Sequence, residues 1–354
     1  MFEISKKAKK KTMETKLLKV DTIKLQEDSI FAAANILKKG GLVAIPTETV
    51  YGLAANALDA DAVTAIFTAK GRPQDNPLIV HIAELEELAP LVTEVPEKAR
   101  SLAKAFWPGP LTIILKRSPL VPAAVSAGLD TVAVRMPSHP VARAIIQAAG
   151  VPLAAPSANL SGSPSPTCAQ HVLEDMNGRI PLVIDGGSCS VGVESTVVSL
   201  VGDTPALLRP GGVSAEQLAQ VIGGVTIDPG VLHKTDDSRK VSSPGMKYKH
   251  YSPKANVIIL EGNSDKYCDY VNRHTDAFAL CFEEDIPKLT VPSVSYGAER
   301  DDASQAHRLF YSLRELDRLG AKTVYARAPQ KDGVGLAVYN RLLRAAGFQI
   351  LSLD

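Results

Sequence analysis

Positively charged and neutral hydrogen-bonding side chains cluster in one link of this sequence, between a predicted helix and a predicted strand. The helix ends at Lys70, and the strand closes with His81 after two prolines that stop helical structure. Arg72 and Asn76 lie in the link. A loop of this composition on rigid elements suits a polyanionic ligand. The alternative is a solvated surface loop with a basic face.

Side chains of the same kind recur farther along the chain. They are Arg135, Ser157, Asn159, Ser165, Ser195 and Arg209. Arg135 stands among apolar residues of a predicted strand, so it is either a structural ion pair or an anion ligand. Arginines, a lysine and neutral donors suit phosphates and carboxylates, and phosphoryl or nucleotidyl transfer depends mainly on positioning and charge stabilisation. The sequence has no Walker loop, H-E-x-x-H motif or nucleophile elbow.

Capping residues predict where the helices that position these side chains begin. Asp28 or Ser29, Asp59, Ser138 and Ser214 each precede a segment with helical spacing of apolar residues. Short apolar runs between the helices predict strands, and the candidate side chains follow them, as ligand-binding groups of open α/β sheets do. Two long loop-rich stretches interrupt the alternation, which favours a mixed rather than a strictly parallel sheet.

Composition divides the chain into two domains and two irregular segments. Residues 1–16 carry a run of lysines and are predicted to be a disordered basic tail, with an RNA-contacting arm as the alternative. Residues 17–228 form the first predicted domain, and residues 255–354 a small parallel α/β domain. The intervening 229–254 is rich in Pro, Gly, Ser and charge, which predicts a linker. Its aromatic and cationic residues suggest a lid over the cleft of the first domain.

Bulk composition excludes several classes of protein. The 354 residues are 45% hydrophobic and 22% charged, which is ordinary for a globular protein. The formal net charge of +1 gives no overall electrostatic case for nucleic-acid binding. Four cysteines without a C-x-x-C pair predict reduced thiols. No signal peptide or membrane-length apolar run is visible, so a cytoplasmic location without membrane contact is expected.

Seven motifs, in order along the first two-thirds of the chain, resemble those of the YrdC-like domain, the core of threonylcarbamoyl-AMP synthases. The motifs are 41–53 (GLVAIPTETVYGL), 70–73 (KGRP), 107–112 (WPGPLT), 134–137 (VRMP), 156–162 (PSANLSG), 194–198 (ESTVV) and 209–211 (RPG). Residues 243–253 and the domain that follows resemble the long, two-domain form of these enzymes. The implied fold is a twisted mixed α/β sheet with a concave basic cleft, joined by the linker to a Rossmann-like domain.

The resemblance implies a nucleotidyltransferase that converts L-threonine, bicarbonate and ATP into threonylcarbamoyl-AMP, pyrophosphate and water. The product would feed threonylcarbamoyladenosine formation beside the anticodon of certain tRNAs, through downstream threonylcarbamoyl-transfer proteins. Direct contact with tRNA or double-stranded RNA is a further implied possibility. Mg²⁺ would be bound through the ATP phosphates, with no protein metal site.

The resemblance also implies roles for individual residues. The catalytic signatures K-x-R and S-x-N fall on Lys70, Arg72, Ser157 and Asn159. ATP contacts are implied for Arg72, Asn76, Thr131, Ser157, Ser165, Arg209 and Tyr251, with Tyr248 as the second candidate from the linker. L-Threonine contacts are implied for Thr49, His81, Arg135, Ala155 and Ser195.

Other interpretations stay open at this point. His81 is otherwise a buried strand-end histidine, and Ser165 and Thr131 are otherwise turn or strand residues. The whole chain could instead be a non-enzymatic RNA-binding or ribosome-maturation protein that uses the same basic cleft. A carbamoyl-transfer enzyme of another pathway, such as hydrogenase maturation, is a third alternative, but the cysteine spacing lacks its zinc-finger segment.

Overall fold

The computed structural model describes residues 13–234 and 250–353. Most of the predicted tail and the linker residue Tyr248 therefore lie outside the described residues. The division into a tail, two domains and a linker stays a prediction at its boundaries. Strand pairing begins at Lys16, the last residue assigned to the tail.

The first domain alternates short strands with helices. Its strands are β1 (Lys16–Lys19), β2 (Val43–Ile45), β3 (Gly52–Asn56), β4 (Ile79–His81), β5 (Leu111–Lys116), β6 (Thr131–Arg135), β7 (Leu153–Ala154), β8 (Leu182–Asp185), β9 (Thr196–Ser199), β10 (Ala206–Arg209) and β11 (Thr226–Ile227). Its helices are α1 (Glu27–Lys38), α2 (Ala60–Lys70), α3 (Glu97–Phe106), α4 (Ala123–Ser126), α5 (Pro140–Ala149), α6 (Ala169–Met176) and α7 (Ala215–Ile222), with 3-10 turns at Leu85–Leu91 and Pro229–Val231.

In the described part of the chain these strands form one eleven-stranded sheet, in the order β1-β8-β2-β3-β7-β4-β6-β5-β9-β10-β11. Parallel and antiparallel neighbours are equally common in it. The prediction of a mixed sheet is therefore confirmed. Strand β8 lies between β1 and β2, so the sheet joins segments that are far apart in sequence.

Helix α2 shows how the local sequence places a functional residue. Asp59 caps it by accepting hydrogen bonds from the backbone N–H groups of Asp61 and Ala62. Gly71 ends it with a φ of +62°, in the left-handed region that favours glycine. The last residue of the helix is Lys70, which is thereby fixed at the edge of the candidate site.

The predicted N-caps were correct at two helices and wrong at two. Asp59 caps α2, and Ser214 caps α7 by accepting from the N–H of Gln217. Helix α1 begins at Glu27, so Asp28 and Ser29 lie in its first turn, and no side chain caps it. Helix α5 begins at Pro140, whose fixed φ suits a first helical position, and Ser138 lies outside it.

The second domain is a small parallel sheet with helices. Its strands are β12 (Asn256–Glu261), β13 (Phe278–Cys281), β14 (Ser293–Ser295), β15 (Thr323–Arg327) and β16 (Ile350–Ser352). Its helices are α8 (Ser264–Asn272), α9 (Asp302–Arg318) and α10 (Gly335–Ala345), with a 3-10 turn at Glu283–Lys288. The strand order is β14-β13-β15-β12-β16, and the pairings within the described residues are parallel, as predicted.

The two domains pack tightly against each other. Val50 and Val193 of the first domain belong to an apolar cluster made mostly of second-domain residues. A Cβ atom added to Gly192 would lie 2.4 Å from the Cα of His307 on α9, so the two backbones are in direct contact there. None of the helices in the described segments is long and apolar enough to span a membrane.

Candidate active site

The candidate side chains meet where several strands of the first sheet begin or end at one edge. His81 and Arg135 are the last residues of the parallel neighbours β4 and β6, and their Cα atoms are paired. Ser195 directly precedes β9, and Arg209 ends β10, which runs antiparallel to β9. Ala155 follows β7. The strand register therefore brings residues from distant motifs to one place.

These strand ends line a cleft. Most of the residues predicted from the sequence line it: Thr49, Lys70, Arg72, His81, Arg135, Ala155, Ser157, Asn159, Ser195, Arg209 and Tyr251. Tyr251 lies within the predicted linker (229–254), so the part of the linker that the structure describes contributes to the cleft wall.

Three predicted residues do not line the cleft. Asn76 is buried behind Arg72, and neither polar atom of its side chain has a hydrogen-bond partner among the described residues. Ser165 is fully buried and donates to Oε1 of Glu194, which itself lines the cleft. Thr131 opens β6, at the opposite end of that strand from Arg135.

Lys70 fastens the loop after β7 to helix α2. Its Nζ donates to the backbone carbonyls of Ser157 and Asn159, each at 2.5 Å. Burial, together with the charge of Arg72, lowers the pKa of Lys70 well below its ordinary value. The ammonium is thus already engaged by protein oxygens, and a contact with triphosphate stays a prediction.

Ser157 and Asn159 organise the same loop. The Ser157 hydroxyl donates to Oδ1 of Asn159 at 2.5 Å, and Nδ2 of Asn159 donates to the carbonyls of Leu160 and Ser163. An isolated antiparallel bridge joins Ser157 to Gly52. The loop is therefore rigid, as a site that positions a ligand requires.

Arg72 is loosely held by the protein. Its Nη2 lies 3.5 Å from the carbonyl oxygen of Asn76 and 3.4 Å from that of Pro77. Its buried Nε has no hydrogen-bond partner in the described part of the chain. Burial lowers the pKa of Arg72 to about 10, so the group is still charged at neutral pH. Its long hydrogen bonds and its position in the cleft wall leave this guanidinium able to contact a ligand.

Arg209 and Ser195 form the next part of the wall. Nε of Arg209 donates to the backbone carbonyl of Ser195 at 3.0 Å, and Nη2 donates to its hydroxyl at 3.1 Å. The same hydroxyl lies 2.8 Å from Oγ1 of Thr112 on β5. Burial lowers the pKa of Arg209 to about 10, which leaves it cationic at neutral pH.

Arg135 both forms a structural ion pair and lines the cleft, so the two alternatives considered for it, an ion pair and an anion ligand, are compatible. Its Nη2 lies 2.8 Å from Oε1 of Glu48, which is a buried ion pair, and its Nη1 donates to Oγ1 of Thr49 at 2.8 Å. Burial opposes ionisation of Glu48, but the charge and hydrogen bond of Arg135 lower its pKa overall. The guanidinium nevertheless lines the cleft, so the ion pair fixes its orientation without removing it from the site.

His81 is an uncharged polar group in the cleft wall. It is buried, and its Nδ1 lies 3.1 Å from the carbonyl oxygen of Ile79. Burial, followed by the charge of Arg135, lowers the pKa of His81 to about 3. The imidazole is therefore neutral over the physiological range of pH.

Two carboxylates of the site were not among the predicted residues. Glu48 pairs with Arg135, and Glu194 lies in the cleft wall with its Oε2 2.8 Å from Nε of Arg341. Both lie inside the motifs quoted above. Glu48 directly precedes Thr49 and Glu194 directly precedes Ser195, and both of these neighbours are predicted to contact L-threonine. The available signal was a carboxylate in an otherwise apolar or hydroxyl-rich strand end, where a buried charge needs a partner.

Comparison with known proteins agrees with this architecture. A family model for the Sua5, YciO and YrdC proteins, described as telomere recombination, matches residues 35–211. A second model, described as the C-terminal domain of threonylcarbamoyl-AMP synthase, matches residues 213–347. The threonylcarbamoyl-AMP synthase of Pyrococcus abyssi is 49% identical over 93% of this chain and 97% of its own length. The chain belongs to the threonylcarbamoyl-AMP synthase family.

Further relatives extend the likeness over both domains. The threonylcarbamoyl-AMP synthase of Bacillus subtilis is 46% identical over 94% of this chain and 96% of its own length. A crystal structure of P. abyssi Sua5 complexed with L-threonine superposes with a TM-score of 0.89 at 46% identity, covering 96% of this chain and 99% of that one. The predicted family, fold and nucleotidyltransferase class are confirmed, and the non-enzymatic RNA-binding alternative is not favoured.

Proposed function

We propose that this enzyme assembles L-threonine, bicarbonate and ATP in the cleft and forms threonylcarbamoyl-AMP, pyrophosphate and water. The observation that carries the proposal is the convergence of Arg72, Arg135 and Arg209 with neutral donors on one rigid cleft. The ATP phosphates, bicarbonate and the carboxylate of threonine are all negatively charged, so bringing them together needs fixed positive charge. The sequence-predicted residue roles are carried forward here as part of the proposal.

The chemistry needs two bonds to form and no protein nucleophile. The threonine amine attacks the bicarbonate carbon, and loss of water leaves a carbamate. A carbamate oxygen then attacks the α-phosphorus of ATP, and the bond to the β-phosphate oxygen breaks to release pyrophosphate. Arg72 and Arg209, both charged at neutral pH, would stabilise the phosphates during this displacement.

The threonine end of the cleft is supported by different groups. Arg135, held by Glu48, offers a planar fork that suits the threonine carboxylate. His81 is neutral and buried beside it, so it would provide a hydrogen-bonding contact without adding charge. Thr49, Ala155 and Ser195 complete this end of the wall.

Tyr251 would help to exclude water from the reacting groups. It is buried, lines the cleft and adopts a φ of +62°, which is strained for a non-glycine residue. Its ring packs on Phe310 of α9 with ring centroids 5.2 Å apart. A carbamate and a mixed anhydride both hydrolyse readily, so a dry site favours product formation.

Magnesium fits the site as a companion of the nucleotide. The described residues contain no group of three or more His, Cys, Asp or Glu side chains that could hold a metal ion. The carboxylate of Glu194 is taken up by Arg341 and Ser165. Mg²⁺ would therefore ride on the ATP phosphates and supply further neutralisation of their charge. Transfer of the product to tRNA by downstream proteins, and any direct RNA contact, belong to the same proposal.

The test is pyrophosphate release by the full-length enzyme with each reactant omitted in turn. We expect release only when ATP, L-threonine and bicarbonate are all present, with threonylcarbamoyl-AMP detected by mass spectrometry. Enzyme that binds ATP but releases pyrophosphate without threonine or bicarbonate would contradict the proposal. Salt-dependent RNA binding without turnover would favour the non-enzymatic alternative instead.

A further inference from the structure

One arginine of the second domain makes hydrogen bonds to the wall of the candidate active site. Arg341 lies on α10 and is fully buried. Its Nε lies 2.8 Å from Oε2 of Glu194, and its Nη2 donates to the Glu194 backbone carbonyl at 3.2 Å. Its Nη1 donates to the carbonyl of Pro210 at 2.7 Å. One guanidinium thus binds two separate segments of the first domain.

Each of those segments carries a residue of the cleft. Glu194 is next to Ser195, and Pro210 is next to Arg209. The segments also touch directly, because a Cβ atom on Gly211 would lie 2.2 Å from the backbone nitrogen of Thr196. Arg341 therefore adds a second fastening, beside the hydrogen bonds from Arg209 to Ser195, between the two segments that carry these residues. Ser165 donates to the second oxygen of the same Glu194 carboxylate.

We propose that Arg341 is a positioning residue, through which the second domain fixes the Ser195 and Arg209 wall of the cleft for threonine and ATP. This inference rests on the proposed function of the same cleft. It assigns the second domain a direct part in forming the active site, because the cation that pairs with the Glu194 carboxylate comes from α10.

The arrangement requires an arginine rather than any positive charge. Three nitrogens of a planar guanidinium reach a carboxylate and two backbone carbonyls, which a lysine ammonium on a flexible chain cannot reproduce with the same geometry. Burial disfavours the charge of Glu194, but Arg341 and then Arg209 keep its pKa below the ordinary value. The ring of Tyr251 also lies near Arg341, with 5.8 Å between its centroid and Cζ.

The alternative is that Arg341 only docks the domains. A matched control exists in Arg314 of α9, which crosses the same interface to a carboxylate. Its Nη2 lies 2.8 Å from Oδ2 of Asp175 on α6 and donates to the carbonyl of Pro164. Neither Arg314 nor Asp175 lines the cleft. Loss of either arginine removes a cross-domain ion pair. Arg341 bonds directly to Glu194 of the cleft wall, whereas Arg314 bonds to Pro164, a neighbour of the cleft residue Ser163.

The experiment compares Arg341→Gln, Arg341→Lys and Arg314→Gln in the full-length enzyme. Steady-state pyrophosphate release and calorimetric threonine binding are measured together with the melting temperature. We expect Arg341→Gln to raise the threonine KM and Kd by about tenfold to a hundredfold, with Arg341→Lys restoring only part of the loss. Arg314→Gln should lower the melting temperature and leave both threonine constants within about twofold of wild type.

Each remaining outcome decides between the alternatives. Equal threonine defects in Arg341→Gln and Arg314→Gln would reduce Arg341 to a docking contact and overturn the proposal. If Arg341→Gln fails to fold because Glu194 is left buried and unpaired, the double variant with Glu194→Gln removes both charges. Wild-type threonine constants in that double variant would also overturn it. Wild-type enzyme that makes no adenylate would refute the proposed function itself, which is a separate result.

Discussion

Both domains place a buried arginine at the carboxyl end of a parallel strand, but the two arginines differ in what surrounds them. In the second domain Arg327 ends β15 with Asp285 at 2.5 Å and Glu299 at 2.6 Å. In the first domain Arg135 pairs with one carboxylate, that of Glu48, and its other hydrogen bonds are to Thr49 and the Gly109 carbonyl. Within the described residues, the hydrogen bonds of Arg72 are to the carbonyl oxygens of Asn76 and Pro77, at 3.5 and 3.4 Å. The number of the protein's own carboxylates around a buried arginine, rather than burial itself, therefore separates the structural Arg327 from the arginines of the cleft.

The largest expected effect concerns Arg72, the cleft arginine with few protein partners. Arg72→Ala should lower threonine-dependent pyrophosphate release by about a thousandfold or more, because a charge at the transferring phosphate is lost. The circular dichroism spectrum should stay that of wild type, since Arg72 makes few protein contacts. Arg143→Ala is the matched control, because Arg143 pairs with Glu84 on the surface of the same domain. Full activity in Arg72→Ala would remove Arg72 from the mechanism.

Substitution of Arg327, which pairs with two carboxylates in the second domain, should change the free energy of unfolding instead of the activity. Arg327→Met leaves the fully buried Asp285 without its cation, which should cost about 3–5 kcal/mol in the free energy of unfolding. Urea unfolding at neutral pH measures this. Arg308→Met removes an equally short but exposed pair with Glu283 and should cost less than about 1 kcal/mol. A threonine or ATP defect in Arg327→Met at unchanged stability would point to a ligand site in the second domain.

The stability of the protein should also depend on pH through His81 of the first domain. His81 of the first domain has a pKa of about 3 in the folded state, and an unfolded histidine has one near 6.5. Below pH 6.5 the unfolded chain binds a proton that the folded chain does not, so folding loses free energy as the pH falls toward 3.

We therefore expect His81→Asn to weaken this dependence, because the amide can still donate to the Ile79 carbonyl but does not titrate. Between about pH 7.5 and about pH 4.5 the variant should lose roughly 2–3 kcal/mol less than wild type. Urea unfolding at both pH values gives the difference, in which titration of His171 cancels. Identical slopes for variant and wild type would mean that His81 is not held neutral.

The smallest effect concerns the geometry of one first-domain arginine. Arg135→Lys keeps a positive charge beside Glu48 but replaces a planar fork by a point charge. The threonine KM should rise about tenfold, while the ATP KM changes much less. Substrate-saturation curves for both ligands separate the two effects. An equal loss for threonine and ATP would contradict the assignment of Arg135 to the carboxylate.

The fold class and most cleft residues could be predicted because their signals are local. Motif residues such as His81 and Arg135 end short apolar strands, and strand ends at one sheet edge meet. Arg341 could not be predicted in this way. Its partner Glu194 lies 147 residues away in sequence, and nothing in the surrounding helical pattern marks the residue as part of a cleft.

The wrong N-caps have a local cause instead. Around α1 the residues Glu27, Asp28 and Ser29 all favour a first turn, so the sequence does not specify where that turn starts. At α5 the fixed φ of Pro140 decides the first helical position, and this overrides the capping tendency of Ser138. Helix existence was thus predictable at both places, whereas the first residue of each helix depends on which of several neighbouring local signals prevails.

The position of β8 between β1 and β2 has a consequence for biosynthesis. Strand β2 leaves the ribosome early, but the strand that pairs with its parallel edge is made only after most of the first domain has been translated. Until then the backbone groups of that edge are unpaired, and they can pair with other chains. Such long-range strand pairing slows folding, so we expect this edge to be open to intermolecular pairing from the synthesis of β2 until that of β8.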